Sequence, residues 1–300
     1  MTVLFCFLLT LTAAEDGNFS QSAFGGDMLP NSPVAEYTAL ELNRWAIPIG
    51  TQALGIDYLG YWWEDNVVAY ISNQEDNVYW MNGMTGAVVG SPWPTDVSNT
   101  SPFGLARVFV PEEEPQIHVN DFNYDAIFFR DEYTAWDEYN ALADNMGRGM
   151  HYFEDEDRIF EIYTVTTPGD YSWYVAMYTP GTSTGNTYEL DCDPGADWSA
   201  SGLTLFPMFG GGTGIAVTMY ESKWIRFFDY PGSPGEVYYG YCVLPYEVEM
   251  ESSYGLAYAP DLDCFFHSWR DAADNHFISR LEVQEVALDQ STWGGIKSRF

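Results

Sequence analysis

Residues 55–104 read GIDYLGYWWEDNVVAYISNQEDNVYWMNGMTGAVVGSPWPTDVSNTSPFG. Short runs rich in β-branched and aromatic residues (67–71, 78–81 and 87–89) are split by the polar 73–77 segment and by Asn82-Gly83. That texture predicts an antiparallel meander with an Asn-Gly hairpin turn. The stretch opens on Gly55-Ile56 and closes on Gly104-Leu105, a second glycine followed by an apolar residue.

The same mark returns at Gly149-Met150, Gly202-Leu203 and Gly255-Leu256, at spacings of 49, 45, 53 and 53 residues (104−55, 149−104, 202−149, 255−202). Behind each mark come further β-type runs, such as 126–129, 158–163, 215–220 and 264–267. Units of 40–50 residues holding four short strands are the arithmetic of propeller blades, whose radial packing leaves no long free sheet edge. The expected fold is therefore all-β: a β-propeller of five blades, with six as the alternative, built from four-stranded antiparallel sheets. The last unit runs out of sequence after Leu281-Glu282-Val283, so an N-terminal strand ahead of Gly55 is expected to complete it and close the ring. One helix is expected, over 132–145, as a decoration on a loop of the second blade.

Outside the repeat, residues 1–14 carry an apolar run from Val3 to Leu11 followed by Thr12-Ala13-Ala14, the pattern of a signal peptide, although no Lys or Arg precedes the run. Residues 15–36 are polar and Gly/Pro/Ser/Asn-rich and read as a flexible leader. The propeller domain is placed at 37–285 and a C-terminal tail at 286–300. The expected location is outside the cytoplasm: secreted, periplasmic or cell-surface. No stretch reaches the 18 apolar residues of a membrane span.

The chain carries 44 acidic against 11 basic residues, a formal charge of −33, which repels phosphate backbones and makes nucleic acid a poor partner. Cys192, Cys242 and Cys264 follow the leader, without CxxC or Cys/His metal spacing, and how they pair is left open. No Gly-x-Ser-x-Gly occurs, and the glycine run at 210–214 precedes a strand and lacks a following Lys, which argues against a phosphate cradle.

The Gly-Leu-Ala marks, the VAYISN…NVYWM…TGAVV texture and the return to Gly-Leu-Ala resemble extracellular bacterial propellers of the NHL/SMP-30-like and virginiamycin-B-lyase-like type, over residues 45–283. The resemblance implies either an enzyme or a binding scaffold on one architecture. Metal-dependent lactonases of this kind hold a divalent cation in the channel with Glu, Asn and Asp, and the residues of that type here are Asp57, Asn120, Asp121 and Glu154. The lyases rely on histidine with a metal, which points to His118 and His267. Arg107, His151 and Tyr258, each just behind a glycine mark, are expected to line the channel with Asp57.

Calcium needs several oxygens converging on one point, and Asp191, Asp193 and Asp197 are the nearest local approximation. Tyr61, Trp62, Trp63 and Trp136 read either as packing between blades or as loop aromatics that stack on sugars or anchor a protein. The leading expectation is a non-enzymatic scaffold for a protein or glycan at the cell surface; the alternative is a metal-dependent hydrolase or lyase.

Overall fold

The structure is a computed structural model and describes residues 35–48, 51–62, 65–110, 114–142, 147–167, 170–190, 199–208, 211–230 and 238–285. Three four-stranded antiparallel meanders come first in the chain. They are β2 (Ile56–Trp62), β3 (Asp65–Ser72), β4 (Asn77–Asn82) and β5 (Trp93–Pro94); then β6 (Pro102–Val108), β7 (Gln116–Asp121), β8 (Ala126–Arg130) and β9 (Asp137–Asn140); then β10 (Met150–Phe153), β11 (Arg158–Thr167), β12 (Asp170–Tyr178) and β13 (Gly185–Glu189). An eight-stranded sheet follows, in the order β14-β15-β16-β17-β1-β20-β19-β18. Its strands are β1 (Ala35–Ala46), β14 (Ala200–Pro207), β15 (Thr213–Met219), β16 (Trp224–Asp229), β17 (Tyr238–Val243), β18 (Met250–Ala259), β19 (Cys264–Asp271) and β20 (His276–Glu285).

The N-terminal strand is the joint of that sheet. β1 runs antiparallel to β20, from Tyr37↔Glu285 to Ala46↔Phe277, and so becomes the fourth strand of the last meander. Its first residues also run parallel to β17, from Ala35↔Gly240 to Thr38↔Val243. The expected closing strand is present, and its pairing begins at Ala35, inside the segment read as a leader.

Strand alternation explains how the sheets pack. In β3, Val67, Ala69 and Ile71 turn to one face and join Leu105, Ile117 and Val119 of the second meander. Val68 and Tyr70 turn to the other and join Ala257, Phe266 and Ile278 of the last. A strand buried on both faces reads as a continuous apolar run, which is how VVAYI reads. Three further clusters fill the remaining interfaces between successive meanders. Every wedge mixes aliphatic and aromatic side chains; Trp80, buried against Trp93 at 4.7 Å, keeps its indole N–H satisfied by Ser91 O at 3.1 Å.

The glycine marks touch one another in a cycle. A Cβ placed on Gly55 would lie 2.9 Å from Gly104 Cα, on Gly104 1.8 Å from Arg148 O, and on Gly149 2.7 Å from Gly202 Cα. On Gly202 it would lie 2.6 Å from Tyr254 O, and on Gly255 2.5 Å from Leu54 O, which returns to the start. Innermost strands approach here closer than any side chain allows, and this is the physical origin of the repeat signal.

A side chain on the second strand ties several of these junctions. Asn120 Oδ1 accepts from Gly104 N at 2.5 Å while its Nδ2 donates to Arg148 O at 3.0 Å. Thr218 does the same between Gly202 N and Tyr254 O, and Ser268 between Gly255 N and Leu54 O. Each satisfies a buried donor of its own meander and a buried acceptor of the next.

Two expectations about outer strands differ. The 87–89 run makes only an isolated bridge, Met81↔Val88, and the fourth strand is Trp93–Pro94 instead. The helix expected over 132–145 is absent from its described part: Asp131 Oδ1 accepts from the backbone N–H groups of Tyr133 and Thr134, turning the chain, and 137–140 then pairs with β8 as β9. A short polar side chain captured the backbone that a helix would have needed.

Candidate functional site: the channel and its two ends

Antiparallel pairing fixes two ends of the ring. At the head end the innermost strands β2, β6, β10, β14 and β18 begin, within a few residues of the glycine marks; at the foot end they finish. The inner edge of an innermost strand has no neighbouring strand, so its N–H groups need other acceptors. Two residues past the glycine, Asp57 supplies one: Oδ2 accepts from Arg107 N of the next meander at 2.7 Å, and Oδ1 from Tyr58 N at 2.9 Å. Thr204 Oγ1, at the same position, accepts from Tyr258 N at 3.0 Å. His151 occupies the position between them, with Nδ1 3.4 Å from Thr204 Oγ1 and 3.9 Å from Asp57 Oδ1.

Burial sets the protonation of this set. It pushes the Asp57 carboxyl up to about 7, against the opposing pull of the two N–H donors and the Arg107 charge. It pushes the His151 imidazole down to about 4. Near neutrality His151 is therefore uncharged beside a carboxyl that exchanges its proton, an arrangement able to take or give a proton. The Arg107 guanidinium, lowered to about 10 by burial, lies 5.1 Å from the Trp62 ring and 3.9 Å from Phe109, and feels the charges of Asp57 and Glu154.

The expected cation ligands do not gather. Asp57 borders the channel, whereas Asn120 is the tie at the Gly104 junction, and Asp121 Oδ2 accepts from the backbone of Thr100 and Ser101 at 2.6 and 3.2 Å. Glu154 sits in an exposed 3₁₀ turn, Glu154–Glu156, at the foot end. His118 and His267 are sealed within the wedges. His118 is held between Tyr139 OH and Gln116 Oε1, and His267 between Tyr246 OH and Ser253 Oγ; burial lowers both to about 3. Among the described residues no three of His, Cys, Asp and Glu converge on a point that would hold a metal ion. Asp191, Asp193 and Asp197, with Cys192, lie outside the described residues; Cys242 and Cys264 are buried free thiols.

The loop aromatics divide. Tyr61 is 74% exposed at the foot end. Trp62 is half-buried and stacks on Trp80 at 6.4 Å, Trp63 lies outside the described residues, and Trp136 donates its indole N–H to Pro94 O at 2.8 Å. The foot-end loops of the first two meanders expose further apolar groups: Met84 (42%), Val88 (64%) and Tyr133 (75%).

The sequence reading missed three groups. Thr204 was legible as the Asp57 position of its unit. Glu161, buried and pushed up to about 7, accepts from Asn120 Nδ2 at 2.5 Å and from Tyr178 OH at 3.2 Å, partners too far along the chain to be paired by eye. Arg148 stands immediately before the Gly149 mark, a place that local pattern does not single out.

No protein-family model and no curated protein sequence matches this chain. Similar solved structures are propellers of the virginiamycin B lyase and related kinds. Virginiamycin B lyase from Staphylococcus aureus is 12% identical, with 84% of this chain and 75% of that one covered and a TM-score of 0.44. An auxiliary nutrient binding protein from Bacteroides ovatus is 8% identical over 84% of this chain and 78% of that one, at 0.47. A luciferin-regenerating enzyme is 9% identical over 82% and 95%, also at 0.47. Enzymes and binding proteins both stand in this company, and the sheet order and glycine cycle carry the propeller architecture independently of it.

Proposed function

We propose that this chain is a five-bladed propeller working outside the cytoplasm as a non-enzymatic scaffold that binds a protein or glycan through its foot end. Five glycine marks in one closed cycle support the blade number, with the eight-stranded sheet counted as two blades fused through β1. The observation that carries the binding reading is the exposure of Tyr61, Met84, Val88 and Tyr133, all in the first two meanders and at one end. Exposed aromatics grouped among polar residues are what sugar stacking and protein anchoring use. The apolar run at 3–11 with its small-residue ending supports export. A divalent cation such as calcium, held by the 191–197 loop, would be structural in this reading.

The test is a glycan array and a cross-linking pull-down from cell-envelope material, run with the wild type and with the Tyr61→Ala/Tyr133→Ala variant. Capture by the wild type and its loss in the variant is expected. Equal capture by both sinks the foot-end assignment.

A second reading, a metal-dependent hydrolase or lyase, draws on the Asp57 and His151 pair in the channel. It requires turnover that chelator abolishes and that Asp57→Asn removes without lowering the melting temperature.

A further inference from the structure

We infer that the head end of the channel holds a second binding site, centred on Arg148, for a small ligand bearing a carboxylate. It goes beyond the foot-end scaffold reading and uses none of its residues. The residues one place ahead of the glycine marks are Leu54, Phe103, Arg148, Ser201 and Tyr254, each within an innermost strand or just ahead of one. Arg148 is the only charged member. Its guanidinium lies 4.9 Å from the Phe122 ring, 5.5 Å from Phe103 and 5.7 Å from Tyr220, so the meanders on either side of its own supply aromatic faces around it.

What its Nη1 lacks, among the described residues, is an acceptor. Arg148 Nη1 is shut from solvent with no hydrogen-bond partner, and no carboxylate lies within ion-pair distance of Arg148 among the described residues. In a chain of net charge −33 an arginine has anions in plenty to choose from. Arg44 and Arg270 have taken theirs, from Glu41 and Glu249 and from Glu251 and Asp274. Leaving a buried guanidinium N–H without an acceptor costs on the order of 1–3 kcal/mol, a cost a bound oxyanion removes.

Other buried polar atoms without a hydrogen bond lie at the same end. Gln52 Oε1 and Asn99 Oδ1 belong to head-end loops, and His276, with neither ring nitrogen hydrogen-bonded, stacks on Tyr254 at 5.6 Å. Their backbone positions are fixed by pairing: Gln52 N donates to Ser72 Oγ, and Asn99 N to Asp96 O. The ligand class follows from the chemistry. One guanidinium among phenyl rings suits a planar monoanion with an apolar body, and the surrounding negative field disfavours a dianion such as phosphate.

Benzoate is the probe, titrated calorimetrically into the full chain, with neutral benzamide of the same shape as control and inorganic phosphate as the dianion. Saturable benzoate binding is expected, at least roughly 10-fold tighter than benzamide, and weakened roughly 10-fold or more by Arg148→Gln with Arg148→Lys between the two. Tyr61→Ala should leave it unchanged, so that failure here and failure of the foot-end reading are separate events. Benzamide binding as tightly as benzoate overturns the inference without any variant having to fold. So does a wild type that ignores benzoate up to tens of millimolar, the behaviour expected if a carboxylate of the chain outside the described residues already holds Arg148. Phosphate binding in preference to benzoate overturns the ligand class.

Discussion

Replacing Glu161 by Gln should leave stability unchanged in acid and raise it in mild alkali. In the folded protein burial keeps the Glu161 proton on up to about 7, whereas the unfolded side chain releases it near 4.5. Between those values the folded state binds more protons, so stability falls as pH rises through this window. The full loss is the difference of 2.5 units (7 − 4.5), about 3 kcal/mol at roughly 1.4 kcal/mol per unit, reached above pH 8. Gln reproduces the protonated form: Oε1 still accepts from Asn120 Nδ2, and Nε2 donates to Tyr178 OH where Oε2 accepted from it. Urea unfolding of both proteins at pH 4 and pH 8.5 measures the effect. A stability difference of the same size at both values would refute the reasoning, since it would mean that Glu161 acts through packing rather than through its charge.

Three further expectations concern the ring. Gly104→Ala, whose Cβ would lie 1.8 Å from Arg148 O, should cost more than about 4 kcal/mol, while Gly211→Ala, at φ +90° with nothing within 4 Å, should cost about 1–2 kcal/mol; thermal melts of the two compare them directly. Ser268→Ala leaves Gly255 N and Leu54 O without their tie and should destabilise by about 1–3 kcal/mol in urea, as should Thr218→Val at its own junction. Deleting the chain through Ala46 uncovers the β20 edge and should drive the protein into the insoluble fraction; a monomer with an unshifted melt would contradict the role given to β1.

How much was legible from sequence follows from what constrains each residue. The glycine marks survive in the pattern because a Cβ cannot fit where innermost strands meet, and the inner runs are readable because both faces of each strand are buried. Outer strands have one exposed face and few apolar residues: Asp137–Asn140 was read as helix, and Trp93–Pro94 was not read as a strand at all. Asp57 was legible as a channel residue because its distance from Gly55 fixes its place. Asn120, His118 and His267 were not distinguishable from ligands, because the groups that occupy them, Arg148 O, Tyr139 OH and Tyr246 OH, lie about twenty or more residues away in the sequence. Arg148 required the converse knowledge, that no carboxylate among the described residues reaches it.

The double pairing of β1 has a consequence for the order of events during synthesis. Both of its partners, β17 and β20, lie about 200 or more residues downstream, so the earliest of the described strands is among the last to find its place. Until β17 exists, that strand, including the apolar Leu40 and Leu42, has an unpaired backbone on both sides, and most of its length stays unpaired until β20 follows. Folding of this chain should therefore be limited by a long wait followed by one late step, and a chain stopped anywhere before β20 should have no way to close.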